Sequence, residues 1–302
     1  MAKKIWMQES EWTKEENRFA YCKALEEANI LFFPEIPFLF PQEEIDFLLQ
    51  QKQGASTSRK NIAYKPKDDK ITNHDAKDPK HAEKMRENLR NYSHRVTHFL
   101  SRILSPYTPH WKVDYASFRP FQEKGRTLRT RARNDLLHVD AFPTRPLHGD
   151  RILRFFTNIN PIESRRWMTS VPFEELAAKY AGEHGVPFPK RATGSWIERW
   201  ERKMKEWLHL PMRSPYDNFM LRMHNFLKEN GDFQADCDKE HWDFPPRSCW
   251  VVFTDQVSHA ALSGQYALEQ TIFVPRDALL RPERAPISVL EQLCGHNLAL
   301  RS

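Results

Sequence analysis

Apolar residues recur every three or four positions over roughly the first hundred residues and every second position after about 111, which predicts helices followed by a sheet region. Within 11–30, Phe19, Cys22, Leu25 and Ala28 fall on one helical face between charged positions. Residues 30–33 read as a strand stopped by Pro34, 38–41 as a turn, and 42–51 as a short helix. Lys, Asp and Ser dominate 54–80, which predicts a loop or a lid. Helix returns over 81–104, where Met85, Leu89, Tyr92, Val96, Phe99 and Leu100 form the apolar stripe.

The period-two passages are 113–119, 127–133, 136–140 and 152–159, and later 248–254, 257–260 and 268–275. If 127–133 is extended, Arg129, Arg131 and Arg133 share one face. Between the two groups of strands, 172–210 reads as helix interrupted at 182–194, with Trp196, Trp200, Met204 and Trp207 on one stripe, and a further helix spans 217–229. Strands, a helical insertion and then strands is the layout of a decorated β-sandwich. The expectation is a single α+β domain over 1–302 with a double-stranded β-helix (jelly-roll) core. A mainly helical cover occupies 1–110, strands occupy 111–170 and 248–276, and a helical insertion at 172–230 separates them.

Composition narrows the classes. With 40% hydrophobic and 12% aromatic residues the chain is a packed globular protein, not a disordered one. Cys22, Cys237, Cys249 and Cys294 show no paired spacing, which argues against a zinc cage or a disulfide framework. No apolar run approaches the ~18 residues of a membrane span, and Met1 to Ser10 lacks the apolar core of a signal peptide, so a cytoplasmic location is expected. A net charge of +6 favours an anionic partner without choosing between nucleic acid, a membrane surface and an acidic substrate.

Two imidazoles and one carboxylate on one face of a ferrous ion leave positions open for a 2-oxo acid and dioxygen. His and Asp two apart on a strand point to the same side, so an HxD supplies two such ligands. The chain contains three: His138-Val139-Asp140, His148-Gly149-Asp150 and His241-Trp242-Asp243. The second lies in a Pro/Gly loop, and the third stands only eighteen positions before His259, too few for the intervening strands of a sandwich. The first closes an apolar segment, and 118 residues separate Asp140 from His259, enough for strands and the helical insertion. His138, Asp140 and His259 are therefore the metal candidates. The pattern alone leaves open that the histidines are ordinary strand residues.

Three passages carry a resemblance: 137–146 around Leu137-His138-Val139-Asp140, 154–161 (Arg154-Phe155-Phe156-Thr157-Asn158-Ile159-Asn160-Pro161), and 254–271 around His259. They resemble the Kdo 3-hydroxylases, iron(II)- and 2-oxoglutarate-dependent oxygenases that hydroxylate the deoxy-sugar Kdo during lipopolysaccharide assembly. The likeness extends loosely to Ile30-Leu31-Phe32-Phe33-Pro34. It implies Fe(II), 2-oxoglutarate and O2 as metal, cosubstrate and oxidant, and hydroxylation at C3 of a Kdo residue on a lipid A precursor. Such a substrate predicts peripheral attachment to the anionic inner face of the bacterial inner membrane.

The far carboxylate of 2-oxoglutarate needs a buried cation, and arginine suits it through its two-pronged donor geometry. Arg154 interrupts an otherwise apolar strand and ranks first, followed by Arg119 at the end of its own strand. Arg165 and Trp167 follow the 158–161 run, which resembles the family's continuation into the cosubstrate pocket; Arg166 leaves the register open, and Arg276 reads as a surface charge. His224 shares a helix face with Met220 and Leu227 and reads first as a core histidine, second as a catalytic group assisting oxygen handling. Arg129, Arg131 and Arg133, with the Lys-rich 59–70 segment, are the expected contacts for substrate carboxylate and phosphates. Two other readings are an oxygenase for a small free metabolite and a basic nucleic-acid-binding protein. Forty acidic residues and tryptophans at helical core spacing argue against nucleic acid.

Overall fold

The computed structural model describes residues 1–51, 61–74, 78–183, 185–189, 200, 204 and 212–299. Its strands are β1 (Lys4–Trp6), β2 (Ile30–Phe33), β3 (Ile62–Lys65), β4 (Lys70–Thr72), β5 (Lys112–Arg119) and β6 (Arg151–Asn158). They continue with β7 (Arg165–Pro172), β8 (Glu240–Phe244), β9 (Cys249–Phe253), β10 (Val257–Ser263) and β11 (Ala267–Val274). One sheet runs β1-β2-β9-β6-β11-β5-β3-β4 and the other β10-β7-β8, antiparallel throughout except for β1 with β2. The two sheets face each other as the halves of a jelly roll.

Alternation along β6 decides what lies where, because this central strand is buried on both faces. Phe155 and Thr157 point outward to helix Pro79–Ile103, where Phe99 meets the Phe155 ring at 6.0 Å and the Tyr92 hydroxyl lies 3.1 Å from Thr157 Oγ1. Arg154 and Phe156 point inward, in register with Thr271 and Glu269 of β11 and with Val252 and Trp250 of β9. An aromatic stack closes one end of the inner layer: Phe156 on Trp250 at 5.1 Å, and Trp250 on Phe244 at 3.9 Å. Each such side chain stabilises the fold by about 1.5–3 kcal/mol through burial. Charged groups fill the other end.

The predicted strands at 30–33, 113–119, 152–159, 248–254, 257–260 and 268–275 all form, as do helices Gln42–Leu49, Pro79–Ile103 and Pro215–Glu229. Several expectations need correction. The 11–30 helix is broken into Glu9–Trp12, a 3-10 turn and Arg18–Glu26, and Phe19 is 58% exposed while Tyr21 takes the buried place. The 54–80 segment is not simply a loop: β3 and β4 form a hairpin on the sheet edge, and 52–60 and 75–77 lie outside the described residues. With β1 and β2, this gives the expected helical cover four strands of the large sheet.

No strand forms at 127–133. Thr130–Ala132 is a 3-10 turn, Arg131 pairs with Glu229, and Arg133 with Asp135. Alternating arginines opposite Thr and Leu offer no apolar face to bury, so the segment has no reason to join a sheet. Likewise 136–140 is extended but makes only one β-bridge, His138 with His259. Of the predicted insertion, Phe173–Tyr180 and Pro215–Glu229 are helices, Trp196 and Trp207 lie outside the described residues, and Trp200 is 59% exposed. β1, β7 and β8 were not expected; His241 and Asp243 of β8 are exposed, so that HxD faces solvent. All four cysteines are free, and no described helix is long and apolar enough to cross a membrane.

The β9–β10 turn is anchored by a fully buried pair, Arg151 Nε to Asp255 Oδ2 at 2.7 Å, with Arg151 also donating to Gln256 at 2.6 Å. Burial raises the Asp255 carboxyl while Arg151 pulls it back. Asp255→Ala would strand a buried guanidinium and is expected to lower unfolding free energy by about 3–5 kcal/mol. Urea denaturation reads this directly, and an unchanged midpoint would mean the pair does not anchor the turn.

Candidate metal centre and cosubstrate pocket

His138 and His259 are joined through their backbones: His138 N donates to His259 O at 3.1 Å, and His259 N to His138 O at 2.9 Å. Asp140 N donates to Thr254 O at 2.8 Å, pinning the carboxylate-bearing residue to the turn before β10. The two imidazole centroids lie 4.8 Å apart.

Each ring is aimed by a backbone carbonyl. His138 Nδ1 lies 2.7 Å from Leu136 O and His259 Nδ1 2.8 Å from Val257 O. A proton on Nδ1 serves that contact and leaves the Nε2 lone pair free for a metal. His138 Nε2 is 3.6 Å from Asp140 Oδ1, and the buried Oδ2 faces Arg154. Two free imidazole nitrogens beside a carboxylate are the donor set a ferrous ion takes.

Electrostatics keep these donors in the binding state. Burial would raise the Asp140 carboxyl, but Arg154, with Nη1 at 3.1 Å from Oδ2, and His138 hold it well below the usual carboxylate range. Burial pushes His138 well below its ordinary value, with Lys228 adding to the effect, and burial lowers His259 as well. The ligand atoms are thus unprotonated at neutral pH.

His224 also reaches this place. Its Nδ1 lies 2.8 Å from Val139 O, its ring meets His138 edge-on at 4.8 Å, and burial and then Lys228 lower its pKa to about 4. The donor atoms of His138, Asp140 and His224 fall within 4.8 Å of one another, so His224 competes with His259 as third ligand. His259 lines the pocket that contains the arginines, and Trp167 stacks on its ring at 5.2 Å; His224 is not among the pocket's lining residues.

That pocket is walled by Arg119, Arg154, Arg165, Asn134, Phe156 and Trp167 around His138, Asp140 and His259. Arg119 donates to Glu269 at 2.6 Å and to Glu123 at 3.3 Å; burial opposes its charge, yet these carboxylates raise its pKa. Arg154 is divided between Asp140 at 3.1 Å and Glu269 at 3.7 Å. Arg165 is different. Its carboxylate contact is Glu123 at 3.4 Å, Nη1 donates to Gly264 O at 3.1 Å, buried Nε, like that of Arg154, has no hydrogen-bond partner among the described residues, and desolvation lowers its pKa to about 10. Gly264 has φ +116, and a Cβ there would stand 2.9 Å from Arg165 Cα, so glycine is what lets the β10–β11 turn approach this arginine.

The structure therefore brings together His138, Asp140, His259, Arg119, Arg154, Arg165 and Trp167, with His224 alongside. It keeps Arg131 and Arg133 at the surface in pairs with acids. Sequence reasoning missed Glu123 and Glu269, the carboxylates that hold the arginines. Glu269 carried the same signal as Arg154, a charge inside an apolar strand.

A jelly roll with two aimed imidazoles, a carboxylate and buried arginines at one pocket has the architecture of the non-haem iron, 2-oxoglutarate-dependent oxygenases. Residues 8–297 match the family model described as 3-deoxy-D-manno-oct-2-ulosonic acid (Kdo) hydroxylase, and the chain belongs to that family. Crystal structures of the Kdo hydroxylase KdoO, a non-heme Fe(II) α-ketoglutarate-dependent dioxygenase, are similar to it at 31% identity. The form with α-ketoglutarate and Fe(III) has a TM-score of 0.83 over 98% of this chain and 97% of that one. The cobalt(II) form has a TM-score of 0.85 over 99% and 98%. Among curated proteins nothing matches.

The three lowered imidazoles set a pH dependence. The unfolded chain binds protons near pH 6.5 that the fold refuses, so metal-free stability is complete above that pH and falls as pH drops toward the His224 value of about 4. Urea midpoints at about pH 7.5 and about pH 5 check this, and a midpoint independent of pH would contradict it.

Proposed function

We propose that this protein hydroxylates C3 of a Kdo residue on a lipid A precursor, using Fe(II), 2-oxoglutarate and O2 and releasing succinate and CO2. The observation that carries the reading is the pair of imidazoles with free Nε2 atoms beside Asp140, in a pocket that also holds a buried arginine with unused donor capacity. Membership of the Kdo hydroxylase family supplies the sugar. A precursor carried on lipid would place the enzyme on the cytoplasmic face of the inner membrane.

In this reading His138, Asp140 and His259 hold the iron, and His224 stands beside them without ligating it. Bound iron would use O2 as the oxidant and 2-oxoglutarate as the two-electron co-reductant to exchange a C–H bond for C–OH, one oxygen atom going to the substrate and the other to succinate. Arg154 orients Asp140 through Oδ2, leaving Oδ1, which lies 3.6 Å from His138 Nε2, for the metal. Arg165, with less counter-charge than Arg119 or Arg154, takes the far carboxylate of 2-oxoglutarate. Arg119 and Glu269 hold the pocket floor, and Trp167 keeps His259 in place and water out.

Anaerobic addition of Fe(II) and 2-oxoglutarate is expected to produce a visible charge-transfer band that is lost in His138→Ala and His259→Ala and kept in His224→Gln. Loss in His224→Gln with retention in His259→Ala would reverse the ligand choice. No band in the wild type would remove the oxygenase reading, and a band without succinate release stimulated by Kdo-lipid would favour a small free metabolite as substrate.

Arg165→Gln is expected to raise the KM for 2-oxoglutarate about 10- to 100-fold, the worth of a charge-assisted hydrogen-bonded contact. An unchanged KM there, with a raised one in Arg154→Gln, would move the role to Arg154.

A further inference from the structure

The inner face of the large sheet continues past Arg154 to a shelf that metal and cosubstrate leave unused. Ser117 is in register with both Ala63 and Glu269, so Tyr115, two residues away on β5, shares the inner face. Lys65 follows Tyr64, the partner of Ala116, and faces the same way. Phe142, just after the metal-binding HxD, meets Phe273 at 6.0 Å and the Arg154 guanidinium at 5.3 Å. Onto these rings comes Arg145, its guanidinium 3.9 Å from the Phe142 ring and 4.4 Å from the Tyr115 ring. Lys65 Nζ lies 5.4 Å from the Tyr115 ring.

We propose that Arg145, positioned by Phe142, Tyr115 and Asp114, binds the carboxylate of the sugar acid, with Lys65 as a second cation on the same shelf. The inference rests on the Kdo reading above and names residues that determine specificity within it.

Three observations carry it. Arg145 is held through Nη1 by Asp114, and no other hydrogen bond of its guanidinium occurs among the described residues, so a second carboxylate has donors to meet. Lys65 has no carboxylate partner among the described residues, so the shelf carries net positive charge after Asp114 is counted. The guanidinium lies over two rings, which restrains it before substrate arrives and reduces the ordering cost of binding.

The placement also suits the chemistry. Kdo bears its carboxylate on C2, next to the C3 that is hydroxylated, so a cation near the metal fixes the target carbon by holding a group two bonds away. Arg145 is close enough to the centre for the charges of Arg154 and Glu269 to act on it. Burial lowers its pKa to about 10, which still leaves it charged at neutral pH.

The test is succinate release against Kdo-lipid concentration in the Fe(II)- and 2-oxoglutarate-loaded full chain. Arg145→Gln is expected to raise the KM for Kdo-lipid about 10- to 100-fold with the charge-transfer band kept. Arg145→Lys should fall between, and Lys65→Gln should raise KM about threefold, in line with a more exposed contact. Esterifying the Kdo carboxylate should weaken binding to the wild type and erase the difference between wild type and Arg145→Gln. An unchanged KM in Arg145→Gln, or a difference that survives esterification, overturns the assignment while leaving the function standing. A wild type that shows the band but no turnover of Kdo-lipid overturns the function and this inference with it.

Discussion

The two backbone hydrogen bonds between His138 and His259 are the constraint on which the rest of the site depends. They join chain segments separated by more than a hundred residues, so closing that loop costs entropy that no local propensity returns. The cost is met on both sides of the bridge. Asn134 O receives Ala261 N, Thr254 O receives Asp140 N, and the buried Arg151–Asp255 pair fixes the turn that carries Thr254. With both backbones set, each imidazole has one carbonyl within reach of Nδ1, and the opposite nitrogen is left facing the pocket. Ligand geometry is thus decided by main-chain hydrogen bonds before any metal arrives, as preorganisation requires.

This dependence also explains which parts of the molecule could be read from the residues alone. β6, β9 and β11 are dense in Val, Ile, Leu, Phe and Trp and bounded by Pro, Gly or polar turns, so period and composition agree there. The HxD was selectable because only His138-Val139-Asp140 both closes an apolar segment and stands far enough before His259 for strands to intervene, although the segment pairs at a single residue and is not a full strand. β7 escaped notice because it begins Arg165-Arg166, and a pattern rule treats arginine as surface. Arg165 is nevertheless 1% exposed, which becomes intelligible only once Glu123 is brought to it from more than forty positions away. The reverse error occurred at 129–133, where arginine alternation imitates a strand without an apolar face to bury.

The buried carboxylates give the pocket its character. Arg119, Arg154 and Arg165 are matched by Asp140, Glu123 and Glu269, and burial would neutralise each acid were it not for the guanidinium beside it. Such a network is costly to desolvate and contributes little net stability. Its worth lies in holding several charges at fixed positions where water cannot rearrange around them. Glu269 shows the logic: at 2.6 Å from Arg119 and 3.7 Å from Arg154, it ties both guanidinium groups to β11.

Charge balance then constrains how the site fills. The lining arginines and the acids that pair with them compensate one another, so a divalent metal or a dicarboxylate entering alone would leave two uncompensated charges in a region of low polarity. Entering together they cancel, so each ligand is expected to strengthen binding of the other by an electrostatic linkage that is the same in both directions. Asp140 is where that linkage acts, because Arg154 contacts Oδ2 and leaves Oδ1 toward His138. A metal held at Oδ1 in the proposed site would draw charge from the carboxylate and weaken its hold on Arg154, freeing part of that guanidinium's field for an anion in the pocket. The carboxylate proposed as a metal ligand would thereby also tune the affinity of the arginine wall behind it.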